Sequence, residues 1–164
     1  MTLIREARRE DCQSILDLIR ELATYEREPD AVVNTVEALE EHLFGPQPAV
    51  FCHVAEHGGR VIGLALWFLT YSTWEGRHGI HLDDLYISPE HRGKGTGFAL
   101  LKTLAEICVE RGYRRLEWTV LDWNAPAIAF YESIGSHSMD GWSTRRLDGD
   151  ALRRLGAPEG AELG

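Results

Sequence analysis

A run of six residues, Arg92-Gly93-Lys94-Gly95-Thr96-Gly97, constrains the fold of this chain more than any other segment. It follows a strand-like stretch from Ile80 to Ile87 and opens a helical pattern that continues to Arg111. Closely spaced glycines let successive main-chain N–H groups turn toward one point, and the N-terminus of the following helix adds a partial positive charge there. The run therefore predicts a strand, a phosphate-binding turn and a helix in succession.

Spacing separates this run from two other phosphate loops. A Walker A loop needs Ser or Thr directly after Gly-Lys, but Gly95 follows Lys94, and Ser88 stands where the upstream glycine is required. A dinucleotide-binding fingerprint that starts at Gly93 needs glycine at position 98, which is Phe98. Both assignments fail, which leaves either another kind of phosphate turn or a glycine-rich turn before a capped helix.

The length of 164 residues suits a single domain, since domains have about 100–200 residues. We expect this domain over residues 1–155, and residues 156–164 to form a flexible tail. Hydrophobic periodicity predicts both helices and strands. The predicted helices run from Asp11, as N-cap, to about Tyr25, from about Asn34, with Glu37 at capping-box spacing from it, to Gly45, from Gly95 to Arg111 and from Asn124 to Ser133. The predicted strands are Thr2–Ala7, Val50–Glu56, Val61–Leu69, Ile80–Ile87, Arg115–Leu121 and His137–Leu147, with a Gly58-Gly59 hairpin turn and a loop over Glu26–Val33.

The charge balance favours a cationic partner. Seventeen Lys and Arg residues against 26 Asp and Glu residues give a formal net charge of −9, which disfavours contact with a nucleic-acid backbone and attracts amines. No apolar run approaches the about 20 residues of a membrane helix, and Met1–Glu6 lacks the apolar segment of a signal peptide. We therefore expect a cytoplasmic protein that binds a small amine and neither nucleic acid nor membrane.

Two groups of residues that can bind metals in other proteins do not lead us to predict a metal site here. Three widely spaced cysteines, with no Cys-x-x-Cys pair, are expected to be reduced and mostly buried; they are Cys12, Cys52 and Cys108. His78, His81 and the pair Asp83-Asp84 lie close in sequence, but zinc needs three or four convergent ligands and harder cations need more oxygens. We predict no metal site.

The spacing of Arg92, Gly95 and Gly97 fits Arg-x-x-Gly-x-Gly, which resembles the pyrophosphate-binding signature of the GNAT acetyltransferase superfamily. Residues 4 to about 147 resemble one branch of it, the spermidine/spermine and thialysine N-acetyltransferases, through segments at 4–7, 21–26, 71–74, 121–124, 130–131 and 141–142. The resemblance implies a GNAT fold of the α/β (α+β) class, in which helices flank one mixed, mostly antiparallel sheet. It also implies acetyl-CoA as co-substrate and a homodimer.

The resemblance implies two catalytic residues. Tyr131 matches the acid of the family, and a phenol with a pKa of about 10 can protonate a thiolate whose thiol has a pKa of about 8.5. A Glu-Asp pair of the family corresponds to Asp83-Asp84, and its first position favours Asp83 as the base, acting through water. Because adjacent strand residues point to opposite faces, Asp84 is expected to contact substrate or support the site. The alternative is that both carboxylates simply lie on a sheet surface.

The remaining site residues also follow from the resemblance. Contacts with the co-substrate are expected from main-chain groups at the end of the long strand, from the glycine run with the residue after it, and from the next helix; these are Leu85, Tyr86, Ile87, Arg92, Gly93, Lys94, Gly95, Thr96, Gly97, Phe98, Asn124 and Ala127. Contacts with the amine are expected from Glu26, Ser72, Trp74, Asp84 and Trp142. Core or interface packing is the alternative for the two tryptophans, and solvated loop charge is the alternative for Arg92 and Lys94.

Position 72 bears on the choice of amine. Polyamine enzymes of the family have Tyr-Asp-x-Trp, whereas this chain has Tyr71-Ser72-Thr73-Trp74 and lacks the carboxylate that would pair with a distal ammonium. The pattern resembles the thialysine branch more closely. We therefore expect acetyl transfer to a primary amine of a thialysine- or lysine-like amino acid, or of a diamine or polyamine. Acetylation of protein N-termini or lysines, and a non-catalytic acyl-CoA-binding module, are the alternatives.

Overall fold

The computed structural model describes residues 1–159, which fall into two compact units, one over Met1–Asp122 and one from Trp123 onward. Residues 160–164, most of the predicted flexible tail, lie outside the described residues. The single domain expected over residues 1–155 stays a prediction.

The first unit is built on a five-stranded sheet in the order β1-β2-β3-β4-β5. Neighbouring strands are antiparallel from β1 to β4, whereas β5 runs parallel to β4. This confirms the mixed, mostly antiparallel sheet expected from the sequence. The strands are β1 (Thr2–Glu6), β2 (Phe51–His57), β3 (Arg60–Ser72), β4 (Arg77–Ile87) and β5 (Leu116–Trp118).

Helices cover the sheet of the first unit and are the regular secondary structure of the second. The first unit contains α1 (Cys12–Tyr25), α2 (Val36–Phe44) and α3 (Thr96–Arg111), together with single 3₁₀ turns at Arg9–Asp11 and Pro89–His91. The second unit contains α4 (Ala125–Ser133) and α5 (Gly149–Gly156). The parallel β4–α3–β5 connection explains the strand, turn and helix predicted around the glycine run.

Alternation along the strands gives the sheet two apolar faces. On one face, α1 and α2 pack against β2, β3 and β4 in a cluster that includes Ile15, Leu39 and Leu64. The intervening strand residues, such as Ala65, point to the other face, where α3 packs through its buried leucines. All three cysteines are free and buried, as expected from the sequence. Strand β4 is therefore packed between α1 on one face of the sheet and α3 on the other.

Two helix caps differ from the prediction. Asp11 precedes α1 but does not cap it, because its carboxylate accepts hydrogen bonds from the Arg8 main-chain N–H at 2.7 Å and from the Arg5 guanidinium at 2.7 and 3.1 Å. Burial alone would raise the pKa of Asp11, but these hydrogen bonds outweigh it and lower the pKa. At α2 the cap is Thr35, whose hydroxyl accepts from the Ala38 N–H, rather than Asn34.

The last predicted strand is wrong. Residues 137–147 form no strand in the part of the chain that the structure describes, and helix α5 follows them instead. The apolar residues of this segment, Met139, Trp142 and Leu147, do not recur with the period of two that one buried face requires, and all three are exposed. Strand β5 is also shorter than the predicted Arg115–Leu121, and its pairing with β4 ends at Leu82, next to the site described below.

Candidate active site

A bulge in β4 shapes the candidate site. Leu66 of β3 pairs with Asp84 and Trp67 pairs with Leu82, so Asp83 is an extra residue with no partner on β3. Such a bulge interrupts the alternation of side chains and increases the local twist. The expectation that the two carboxylates point to opposite faces depended on strict alternation. The bulge lies at this pair, so strict alternation does not apply there. Asp83 is exposed and Asp84 is half-buried.

Three carboxylates form one electrostatic group, which we call the acidic cluster: Glu26, Asp83 and Asp84. Burial raises the pKa of Asp84 to about 6, and the negative charges of Asp83 and Glu26 add to this rise. The pKa of Glu26, which directly follows α1, is also raised, first by burial and then by Asp83. The structure therefore brings together two residues expected to bind an amine, Glu26 and Asp84, and the expected base, Asp83. A half-buried carboxyl with this pKa can accept a proton near neutral pH.

The glycine run forms the turn between β4 and α3. Gly93 and Gly95 have φ angles of 76° and 81°, a region that favours glycine, and Gly95 is the N-cap of α3. Gly97 has no positive φ, and a Cβ placed there would meet nothing within 4 Å. Neither backbone conformation nor packing within the chain thus requires glycine at 97. Open space above the start of a sixteen-residue helix suits an anionic group such as phosphate.

The end of β4 has an open edge. Strand β5 pairs only with Ile80, His81 and Leu82, so beyond the bulge no described strand covers this side of β4. On the other side, the Ser88 N–H donates to the Ile62 carbonyl at 2.8 Å. Because N–H groups alternate along a strand, those of Leu85 and Ile87 point toward the open edge. They are main-chain donors available to a ligand that runs from the acidic cluster to the glycine turn.

Two residues expected to contact the co-substrate have partners within the protein. The Tyr86 side chain is buried in the core beside α1, and its hydroxyl donates to Glu21 at 3.5 Å. The Arg92 Nε donates to the Ile87 carbonyl at 2.9 Å, and its guanidinium lies 5.1 Å from the ring centre of Tyr86 and 5.7 Å from that of Tyr25. Tyr25 was not among the residues predicted for the site; its position directly before Glu26 was the available signal.

The structure does not bring Ser72 and Trp74 to the acidic cluster. Ser72 pairs with Arg77, seven residues along β4 from Asp84, which at 3.2–3.4 Å per residue is about 20 Å. The Ser72 hydroxyl accepts from the Glu75 N–H within the hairpin turn, and Trp74 is 85% exposed. Both residues therefore lie at the far end of the β3–β4 hairpin.

The second unit holds the other expected site residues. Asn124 immediately precedes α4, Ala127 is in its first turn, and Tyr131 follows Asn124 by seven residues, so the three share one face of the helix. Tyr131 also contacts the ring of Phe130, with centroids 5.5 Å apart. Trp142 lies in the irregular segment after α4 and is exposed.

The described part of the chain contains neither a cluster of metal ligands nor a membrane-spanning helix. Among residues 1–159, no group of three or more His, Cys, Asp or Glu side chains is arranged to hold a metal ion. No helix in the described part of the chain is both long and apolar enough to span a bilayer.

Comparison with known families agrees with this geometry. The model of the acetyltransferase (GNAT) family matches residues 12–135, and the chain belongs to this family. It is an acetyltransferase, and members of the family use acetyl-CoA as co-substrate.

Individual relatives indicate the branch. The chain is 42% identical over 164 residues to the thialysine N-epsilon-acetyltransferase of Bos taurus, a match that covers 93% of this chain and 96% of that protein. It is 33% identical to the spermidine/spermine N(1)-acetyltransferase-like protein 1 of Homo sapiens, over 91% of this chain but 23% of that protein. An integron cassette protein from V. cholerae shares the fold, with a TM-score of 0.80 at 26% identity over 96% of this chain and 98% of the other.

The acidic cluster yields a prediction that requires no substrate. In carbon-detected NMR titrations, the Asp84 carboxyl should titrate near pH 6, because burial and two neighbouring charges raise its pKa to about 6. Asp83→Asn and Glu26→Gln should each lower the pKa of Asp84, since each removes one of those charges. Glu37→Gln, an exposed change at the start of α2, is the matched control. An Asp84 pKa that stays unchanged in both cluster variants would contradict the grouping.

Proposed function

We propose that this protein transfers the acetyl group of acetyl-CoA to the side-chain amine of a small amino acid such as thialysine, lysine or ornithine. The observation that carries the proposal is the position of the acidic cluster: two of its members, Asp83 and Asp84, lie on β4 directly before an open main-chain edge and a glycine turn. An ammonium and a phosphate-bearing thioester would meet along this line. Similarity to the thialysine enzymes over most of the chain supports the amino-acid substrate.

The residues present fit acetyl-CoA. The turn from Gly93 to Phe98 offers main-chain N–H groups and open space to a pyrophosphate, and the open edge of β4 offers the N–H groups of Leu85 and Ile87 to carbonyl oxygens. When bound, acetyl-CoA supplies the acetyl group as an activated thioester. Asn124 and Ala127 are proposed to contact it as well, from the family resemblance.

Acid–base roles are assigned from the two units separately. In the acidic cluster, we assign proton uptake from the ammonium to Asp84, because its pKa of about 6 suits a base at neutral pH. Exposed Asp83 and half-buried Glu26 then hold the ammonium. This reverses the order of the two aspartates expected from the family pattern. Tyr131 is proposed as the acid that protonates the departing thiolate, on the basis of the resemblance and of the phenol chemistry.

Ser72 and Trp74 enter the proposal only together with a homodimer. Within one chain, the acidic cluster lies about 20 Å along β4 from Ser72. Ser72 and Trp74 therefore reach an amine site only where their hairpin extends to the acidic cluster of a second copy. Trp142 is likewise proposed as an amine contact. Cytoplasmic localisation stays a prediction from the sequence.

The function is tested by thiol release from acetyl-CoA with a panel of amines. Thialysine, lysine and ornithine should give a higher kcat/KM than spermidine or a peptide with a free N-terminus, because the acidic cluster suits one compact cation. A preference for spermidine would move the protein to the polyamine branch, and a preference for the peptide to protein acetylation. Binding of acetyl-CoA without turnover of any amine would indicate a non-catalytic acyl-CoA-binding module.

Removal of the proposed acid or base should slow the chemical step. Tyr131→Phe and Asp84→Asn should each lower kcat by about 10²–10⁴-fold, the usual contribution of general acid or base catalysis. The KM for acetyl-CoA should change much less. Asp83→Asn, which retains the base, should act mainly on the KM for the amine. If Asp83→Asn lowers kcat more than Asp84→Asn does, the order expected from the sequence is correct.

Glycine at position 97 gives a prediction with two opposite readouts. Gly97→Ala should leave thermal stability unchanged or raise it, by up to about 1 kcal/mol, because alanine is the better helix residue and its Cβ meets nothing. The same methyl group should weaken CoA binding by tenfold or more in calorimetry, since it occupies the space over the turn. Gly156→Ala, where a Cβ also meets nothing, is the matched control. Unchanged CoA affinity in Gly97→Ala would refute the placement.

A further inference from the structure

We propose that Arg92 is a positioning residue, which ties the phosphate turn to the acidic cluster, rather than a ligand of the phosphate. This inference deepens the proposed function and rests on it. The Arg-x-x-Gly-x-Gly pattern led us to expect Arg92 beside the co-substrate, but its side chain contacts Ile87, Tyr86 and Tyr25 in the body of the protein.

The first contact closes the segment before the turn. The Arg92 Nε donates to the carbonyl of Ile87, the last residue of β4, at 2.9 Å. Four residues, among them the 3₁₀ turn Pro89–His91, lie between the two partners along the chain. A hydrogen bond from a charged donor is among the stronger kinds. It holds the start of the glycine turn against the end of β4, where the Ile87 N–H faces the open edge.

The second contact is aromatic. The guanidinium lies over the rings of Tyr86, at 5.1 Å, and Tyr25, at 5.7 Å, within the distance of a cation–π interaction. Tyr25 is the last residue of α1 and precedes Glu26, whereas Tyr86 follows Asp84 by two residues on β4. One planar cation therefore links the two elements that supply the members of the acidic cluster.

The linkage has a consequence for the amine. Glu26 and Asp84 come from different elements, and a loss of about 1 Å of alignment in a reacting site can cost about 10²-fold in rate. Lysine at position 92 would keep the positive charge but lose the planar guanidinium that stacks on two rings and the Nε–H that reaches Ile87. Arg92→Lys thus changes geometry while leaving the charge count near the phosphate constant.

The test measures the two ligands separately in Arg92→Lys and, for comparison, in Lys94→Gln, which removes a cation from the same turn. For Arg92→Lys we expect the Kd for CoA, from calorimetry at two salt concentrations, to stay within about threefold of the original value. We expect the amine kcat/KM to fall about tenfold or more. The pKa of Asp84, followed by NMR, should fall toward the ordinary carboxyl value as Glu26 moves away. Lys94→Gln should weaken CoA binding and its salt dependence without moving the Asp84 titration.

The opposite result overturns the proposal. A tenfold or greater loss of CoA affinity in Arg92→Lys, with the amine KM and the Asp84 titration unchanged, would make Arg92 a phosphate ligand. A uniform loss of thermal stability with both affinities and the titration unchanged would make its role purely structural. CoA binding and the titration need no turnover, so they decide the role of Arg92 even if none of the amines proves to be a substrate.

Discussion

A single extra residue in β4 determines how the rest of the site is arranged. Because Asp83 has no partner on β3, the strand twists more strongly at that point. Pairing with β5 ends at Leu82, immediately before it. The same irregularity therefore frees both carboxylates from strict alternation and separates the two parallel strands. The open edge and the acidic cluster are two results of one insertion in the register.

The acidic cluster has a cost for the folded chain. A carboxyl whose pKa is raised to about 6 in the fold favours its neutral form, so its contribution to stability declines as pH rises from its ordinary pKa through that value. At neutral pH, Asp84 is ionised in a half-buried position beside two other carboxylates. A bound ammonium would offset this repulsion. The carboxylates therefore repel one another without a cation, and a bound cation relieves this repulsion. Such an arrangement suits a site that selects amines.

Sequence reasoning recovered what depends on local spacing. The glycine run between β4 and α3 and the hairpin at Gly58-Gly59 are confirmed because turn chemistry acts over a few residues. The fold class, which the family resemblance implied, is confirmed as well. The bulge was missed because an extra strand residue leaves the composition of the strand unchanged. Ser72 was grouped with the acidic residues because a family pattern carries no distances, whereas the strand rise separates them by about 20 Å.

The same limit applies to Arg92, whose role was expected from a family pattern. Its position in the pattern predicted a phosphate contact, yet the side chain meets the ends of β4 and α1. Its partners Ile87, Tyr86 and Tyr25 lie 5, 6 and 67 residues away along the chain. No local sequence pattern indicates the contact with Tyr25. The strand predicted at 137–147 was wrong for a different reason, because the apolar residues of this segment lack the alternation that a strand with one buried face requires.

The edge of β4 that no described strand pairs with also bears on how long the protein survives in a cell. An exposed strand edge invites pairing with other chains and aggregation, and a co-substrate that occupies the N–H groups of Leu85 and Ile87 would shield it. Binding to the native state alone stabilises a protein by about 2.7 kcal/mol when the ligand is present at about one hundred times its Kd. The abundance of the enzyme would then follow the supply of its acyl donor, so that a cell poor in that donor would also lose the catalyst that consumes it.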